Sequence, residues 1–180
     1  MESSNTSIKT IDIVQIGIMA AITFLATSVI HVPTFMGVLH LGDSMVFLSA
    51  ILFGRRKSAI ASAVGMCLFD IVSGYAMWAP FTFVIKGLMG YIAGTIAYRK
   101  DYNGNNTLNN IFAFVVAGIW MIAAYYIGGT IILTFISKDF AIKQALIISL
   151  KDIPTNIIQV VAGIVLALPL TASLKMKLNR

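Results

Sequence analysis

The chain has 180 residues, of which 58% are hydrophobic and only 11% charged, with a formal net charge of +6. Soluble domains carry roughly 45–50% apolar and about 25% charged residues, so this composition argues against a water-soluble globule. The excess of Lys and Arg would suit nucleic acid in a soluble protein, but here it falls in short clusters between apolar runs, which is the pattern of membrane topology.

A bilayer-crossing helix needs about 20 mainly apolar residues, which leaves room for about six of them in a chain of this length. In chain order the apolar runs are 11–32, 43–54, 58–74, 81–98, 111–136 and 154–174, separated by charged or turn-forming punctuation. The first is longer than a secretory h-region and lacks a small-x-small cleavage site, so it reads as a spanning helix. Within it Gly17 and Ala21, with Ala20 beside them, form a small-residue surface that another helix can approach closely. The second run reaches only about 18 Å at 1.5 Å per residue, and the less regular stretch 33–42 must complete it. Cys67, alone in the third run, reads as a small buried hydrophobe and can form no internal disulfide. Residues 140–151, with Ala141, Ala145, Leu146 and Ile148 at helical spacing, read as an interfacial helix or lid.

Lys9, Arg55, Arg56, Lys57, Arg99, Lys100, Lys175, Lys177 and Arg180 belong to one side if six runs alternate in direction, against Lys138, Lys143 and Lys151 on the other. The positive-inside rule then makes both termini cytoplasmic. The expected fold is an all-α integral membrane bundle of six helices forming a single domain over residues 1–180.

That orientation turns the intramembrane polar residues into a depth map. Asp43 begins the second run, Asp70 lies about one turn from the outer end of the third, and Lys86 lies about 9 Å inward from Pro80. Asn156 and Gln159 occupy the first turns of the sixth run, and His31, His40, Tyr75 and Trp78 fall at outer ends or outer connections. The inner halves carry no ionisable side chain. A charge at the centre of a membrane helix costs about 2.5–3.5 kcal/mol, so such groups face a partner or a wet cavity. Pairing of Lys86 with Asp70 or Asp43, and amide glue between helices, would account for any one of them. Their gathering at one depth from four segments is better explained by a solute pocket that opens outward.

The chain holds no G-x-x-x-x-G-K-[ST] loop, no H-E-x-x-H, no G-x-S-x-G and no cysteine cluster, so the common nucleotide-binding and hydrolase constellations are absent from the sequence. An Asp43/Asp70 pair could imitate an aspartyl protease, but Lys86 would compete for their charge. No metal site and no catalytic residue is expected.

Several motifs, taken in order, carry a resemblance. They are His40-Leu41-Gly42-Asp43 leading into Val46-Phe47-Leu48 and Leu52-Phe53-Gly54, then Asp70 followed by Gly74-Tyr75. Next come Trp78-Ala79-Pro80-Phe81-Thr82 with Ile85-Lys86-Gly87-Leu88, and Pro154-x-Asn156-x-x-Gln159. In this order and at this length the chain resembles the membrane substrate-binding subunits, or S components, of energy-coupling factor (ECF) vitamin transporters, over nearly its whole extent. The resemblance implies a bundle that captures a vitamin or precursor from outside, working with a transmembrane T component and two cytoplasmic ATPases that hydrolyse the ATP. No cofactor would be held by this chain. Gly17, standing where the family usually shows the first alanine of an A-x-x-x-A-like motif, would with Ala20 and Ala21 face the partner. Within the family the sequence looks most like the hydroxymethylpyrimidine or pyridoxine type, with riboflavin types next. The candidate binding set is His40, Asp43, Asp70, Tyr75, Trp78, Thr82, Lys86, Asn156 and Gln159. The rival readings are a stand-alone carrier driven by protons through Asp43 and Asp70, an integral-membrane enzyme, and an assembly subunit with no ligand.

Overall fold

The computed structural model describes residues 9–34, 37–136, 138 and 140–178; Arg180 of the basic series lies outside them. Helix α1 is Thr10–Val29, followed by the short strands β1 (His31–Pro33) and β2 (Val38–His40). Then come α2 (Gly42–Val72), α3 (Ala79–Ala97), α4 (Thr107–Ile131), α5 (Ile142–Ser149) and α6 (Ile153–Leu178). A π-helical turn, Ile132–Ile136, prolongs α4. The architecture is all-α with one small hairpin. Thr10–Val29, Ala79–Ala97, Thr107–Ile136 and Ile142–Lys175 are each long and apolar enough to cross a membrane. Their outward faces carry Ile18, Leu25, Ile119 and Val165 exposed, as a lipid-contacting surface requires. The chain is a multi-pass membrane protein.

Helix α2 is not straight. Gly54 has φ 72° and ψ −174°, a conformation open to glycine, and there the chain doubles back. Twelve residues of straight helix would hold Val46 and Ser58 about 18 Å apart. Instead the Ser58 hydroxyl lies 3.4 Å from the Val46 carbonyl oxygen and 2.9 Å from the Ser49 hydroxyl. The limbs 42–53 and 55–72 therefore run antiparallel, as the separate runs 43–54 and 58–74 imply, but the break is one residue long. Arg55, Arg56 and Lys57, which read as a connection, already belong to the second limb. The carbonyls stranded at the end of the first limb are met by Tyr98, whose hydroxyl donates to Ile51 O at 2.9 Å and lies 3.3 Å from Leu52 O.

Small residues let these limbs pack backbone to backbone. A Cβ on Gly65 would sit 2.5 Å from the Ala20 carbonyl oxygen of α1, and one on Gly94 would sit 2.6 Å from the Arg55 Cα. Phe47, Ile51, Met66, Met89, Phe114 and Met121 fill the centre, with the Phe47 and Phe114 rings stacked at 4.3 Å.

Two stretches differ from the sequence reading. Strands 31–33 and 38–40 pair antiparallel, His31 with His40 and Val32 with Leu39, so the backbone that looked irregular is satisfied there by strand pairing. The first helix accordingly ends at Val29 rather than 32. The stretch 140–151 does contain a helix, α5, but the residues it buries on α4 are Ala145 and Ser149; Leu146 stays on its exposed side.

Candidate functional site

A cavity opens at the end of the bundle opposite the Gly54 turn. It encloses about 560 Å³ of space, counting its open mouth. The hairpin covers one side through Thr34, Gly37, Val38 and His40, while Asp70, Tyr75 and Trp78 come from the end of α2 and the turn into α3. Thr82 of α3, Tyr125 and Gly129 of α4, and Ser149 of α5 form another wall, and Asp152 of the 3-10 turn before α6 completes it with Thr155, Asn156 and Gln159 of α6.

Local structure explains these placements. The turn after α2 is closed by Tyr75 N–H donating to Asp70 O at 2.7 Å and Trp78 N–H donating to Tyr75 O at 2.8 Å, and Pro80 suits the first turn of α3. This brings Tyr75 and Trp78 into the cavity lining together with Asp70. Trp78 and Tyr125 have ring centroids 5.7 Å apart, a tilted pair that makes one side of the cavity aromatic.

Beneath the wall lies a fully buried charge pair. Lys86 Nζ bonds to Asp43 Oδ1, and neither side chain has any exposure. Asp43 Oδ2 accepts from Gln159 Nε2 at 2.9 Å, while Gln159 Oε1 accepts from the His40 backbone N–H at 3.2 Å. Lys86 also lies 3.0 Å from Met121 Sδ and 5.3 Å from the Tyr125 ring centroid. The amide of Gln159 is thus held at both ends, and through it the pair pins β2 to α6. Lys86 pairs with Asp43, not with Asp70, and neither Asp43 nor Lys86 lines the cavity. The other seven residues of the expected set do: His40, Asp70, Tyr75, Trp78, Thr82, Asn156 and Gln159.

In the wall itself the hydrogen bonding is incomplete. Thr82 hydrogen-bonds to Asp70 and lies 3.2 Å from Tyr125 Oη, an order in which Tyr125 donates to Thr82 and Thr82 to the carboxylate. Yet Asp70 Oδ2 and His40 Nδ1 are buried with no partner, in residues only 5% and 6% exposed. Burial, aided by the Lys86 charge, pushes the His40 imidazole down to about 3, so it is neutral. His31 does not line the cavity; its Nδ1 lies 2.8 Å from Ser28 O at the end of α1.

Sequence reasoning missed Tyr125, Ser149, Asp152 and Thr155. Tyr125 was hidden in a uniformly apolar run, although it stands one helical turn from Met121. For Asp152 a signal existed: with Asn156 and Gln159 it follows the i, i+4, i+7 spacing of one helix face. The trio in α1 divides. Ala20 is buried against the second limb of α2, whereas Gly17 and Ala21 lie on the exposed face, with nothing within 4 Å of a Cβ added at Gly17.

Comparison with known proteins bears on this architecture. A protein of Pyrococcus woesei titled "Uncharacterized protein in gap 3'region" is 35% identical over 98 residues, covering 54% of this chain and 66% of that one. The "Thiamine precursor transporter HmpT" of Lactococcus lactis subsp. cremoris (strain MG1363) is 28% identical over 130 residues, covering 72% of this chain and 65% of its own. The chain thus spans just under two thirds of each of these relatives. The family model described as "ECF-type riboflavin transporter, S component" matches residues 7–176. With that match over almost its full length, the chain belongs to the S-component family of ECF-type transporters.

Proposed function

We propose that this chain is the substrate-capture subunit of an ATP-driven vitamin importer, and that the cavity receives a small heteroaromatic vitamin or precursor of the hydroxymethylpyrimidine or pyridoxine type. The observation that carries this reading is the pair of buried, unpartnered polar atoms, His40 Nδ1 and Asp70 Oδ2, lining a cavity with aromatic walls. Buried polar groups are nearly always hydrogen-bonded, so two open ones at one cavity await a ligand. The relative named as a thiamine precursor transporter supports the pyrimidine type. The family description supports riboflavin as the second reading.

In this reading the chain crosses the membrane six times, the two limbs of α2 counting separately, with both termini cytoplasmic. The gathering of Arg55, Arg56, Lys57, Arg99 and Lys100 at the end away from the cavity supports that orientation. Trp78, Tyr75 and Tyr125 stack on the ligand, and Asn156, Thr82 and Gln159 offer it hydrogen bonds. Asp43 and Lys86 act from beneath by fixing Gln159. A T component and two cytoplasmic ATPases complete the importer, and the exposed Gly17 and Ala21 face of α1 meets the T component.

Titration of the purified full chain with hydroxymethylpyrimidine, pyridoxine and riboflavin, followed by tryptophan fluorescence, tests the capture role. Saturable binding of one of them is expected, and binding of none refutes it. Vesicles holding this chain alone should show no accumulation under a proton gradient; accumulation there would favour a stand-alone carrier. Gly17→Trp and Ala21→Trp should leave binding unchanged and abolish uptake in vesicles that also hold the partner subunits. Loss of binding instead would mark that face as internal packing.

A further inference from the structure

The Asp70 carboxyl is buried in the cavity lining with Oδ2 unpartnered. Among the described residues no Lys or Arg belongs to that lining. The nearest cation in the network, Lys86, is fully buried and already bonded to Asp43. The histidine of the lining is neutral, as argued above. A carboxylate oxygen accepts hydrogen bonds, so a donor that the ligand brings would satisfy Asp70 Oδ2. A hydroxyl would supply a hydrogen bond but no charge. An amino-substituted ring nitrogen heterocycle supplies N–H donors and, when protonated, the charge that offsets a desolvated carboxylate. Its positive ring is also the partner that Trp78 and Tyr125 favour, since aromatic faces attract cations.

We propose, resting on the capture role above, that Asp70 is the specificity-determining residue and that it selects an unphosphorylated heterocycle bearing a ring amine. A phosphate ester is rejected, because its charge would meet the Asp70 carboxylate and no cation of the lining. His40 Nδ1 takes a second polar group of the same ligand edge.

The test uses the purified full chain and three probes: hydroxymethylpyrimidine, its analogue with a methoxy group in place of the amine, and its phosphate ester. The wild-type chain should bind the amine at least about tenfold more tightly than the methoxy analogue, which offers Asp70 an acceptor and no N–H. The phosphate ester should bind at least about a hundredfold more weakly than the parent alcohol. Asp70→Asn, which offers a donor as well as an acceptor, should shrink the amine preference to about twofold or less. Equal wild-type affinity for the amine and its methoxy analogue overturns the proposal even if the variant fails to fold. So does tight binding of the phosphate ester, or a variant that keeps the tenfold preference. If riboflavin binds and neither pyrimidine does, the amine selection falls while the capture role stands. If no vitamin binds, both fall.

Discussion

At the basic end of the bundle, polar side chains close the backbone. Arg99 Nε donates to Asn109 Oδ1 at 2.6 Å, Asn109 Nδ2 to Ile96 O at 2.7 Å, and Lys175 Nζ to Asn103 O at 2.9 Å and Asn105 Oδ1 at 2.8 Å. Asn106 caps α4 by accepting from Asn109 N–H at 2.9 Å. Asn110 Oδ1 is an exception, buried without a partner, although its Nδ2 reaches Gly104 O at 2.8 Å. At the cavity end the polar groups form two layers. The lower one, Asp43 with Lys86 and Gln159, is closed in the same way; the upper one, Asp70 with His40, is left open toward the cavity. A polar residue inside a membrane helix is thus no sign of function until its partners are known. Asp43 and Asp70 are both buried carboxylates, and only the second faces empty space.

Three substitutions test that division. The largest effect is expected from Lys86→Ala, which strands Asp43 as a buried charge and should destabilise the fold by about 3–5 kcal/mol. Thermal unfolding in detergent would show it, and replacing Asp43 and Lys86 together by apolar residues of similar volume should recover most of the loss. A wild-type melting temperature for the single variant would move Lys86 from the closed layer to the open one. Next comes Asn156→Ala, in the wall and only half-buried. It should weaken ligand binding by about fivefold, near 1 kcal/mol, while the melting temperature stays within error. The smallest effect is expected from Tyr98→Phe at the basic end. Losing the bond to Ile51 O should cost about 1 kcal/mol of stability without altering affinity, measured by unfolding and titration on the same preparation. Reduced affinity in that variant would show that the two ends are coupled through α2.

Much of this was legible in the chain. The apolar runs, their punctuation and the clusters of Lys and Arg define a membrane bundle because hydropathy and helix length act locally. The i, i+4, i+7 spacing of Asp152, Asn156 and Gln159 is likewise readable, since a helix face depends only on spacing. Seven of the nine residues in the expected set line the cavity because they sit at one depth, and depth follows from distance along a helix. The pairing of 31–33 with 38–40 was not legible: the strands are three residues each, too short for an alternating pattern. Tyr125 was not legible either, because an apolar run on a helix buried on one side and lipid-facing on the other shows no polar face to orient it.

The sequence by itself determined that this is a membrane bundle, which residues are costly at depth, and at which end they gather, because those properties follow from composition and rise per residue. Only the tertiary structure decided that Lys86 bonds to Asp43 and leaves Asp70 open. Both carboxylates lie within plausible reach of the ammonium along the chain. The choice between them depends on how the limbs of α2, α3 and α6 pack in three dimensions.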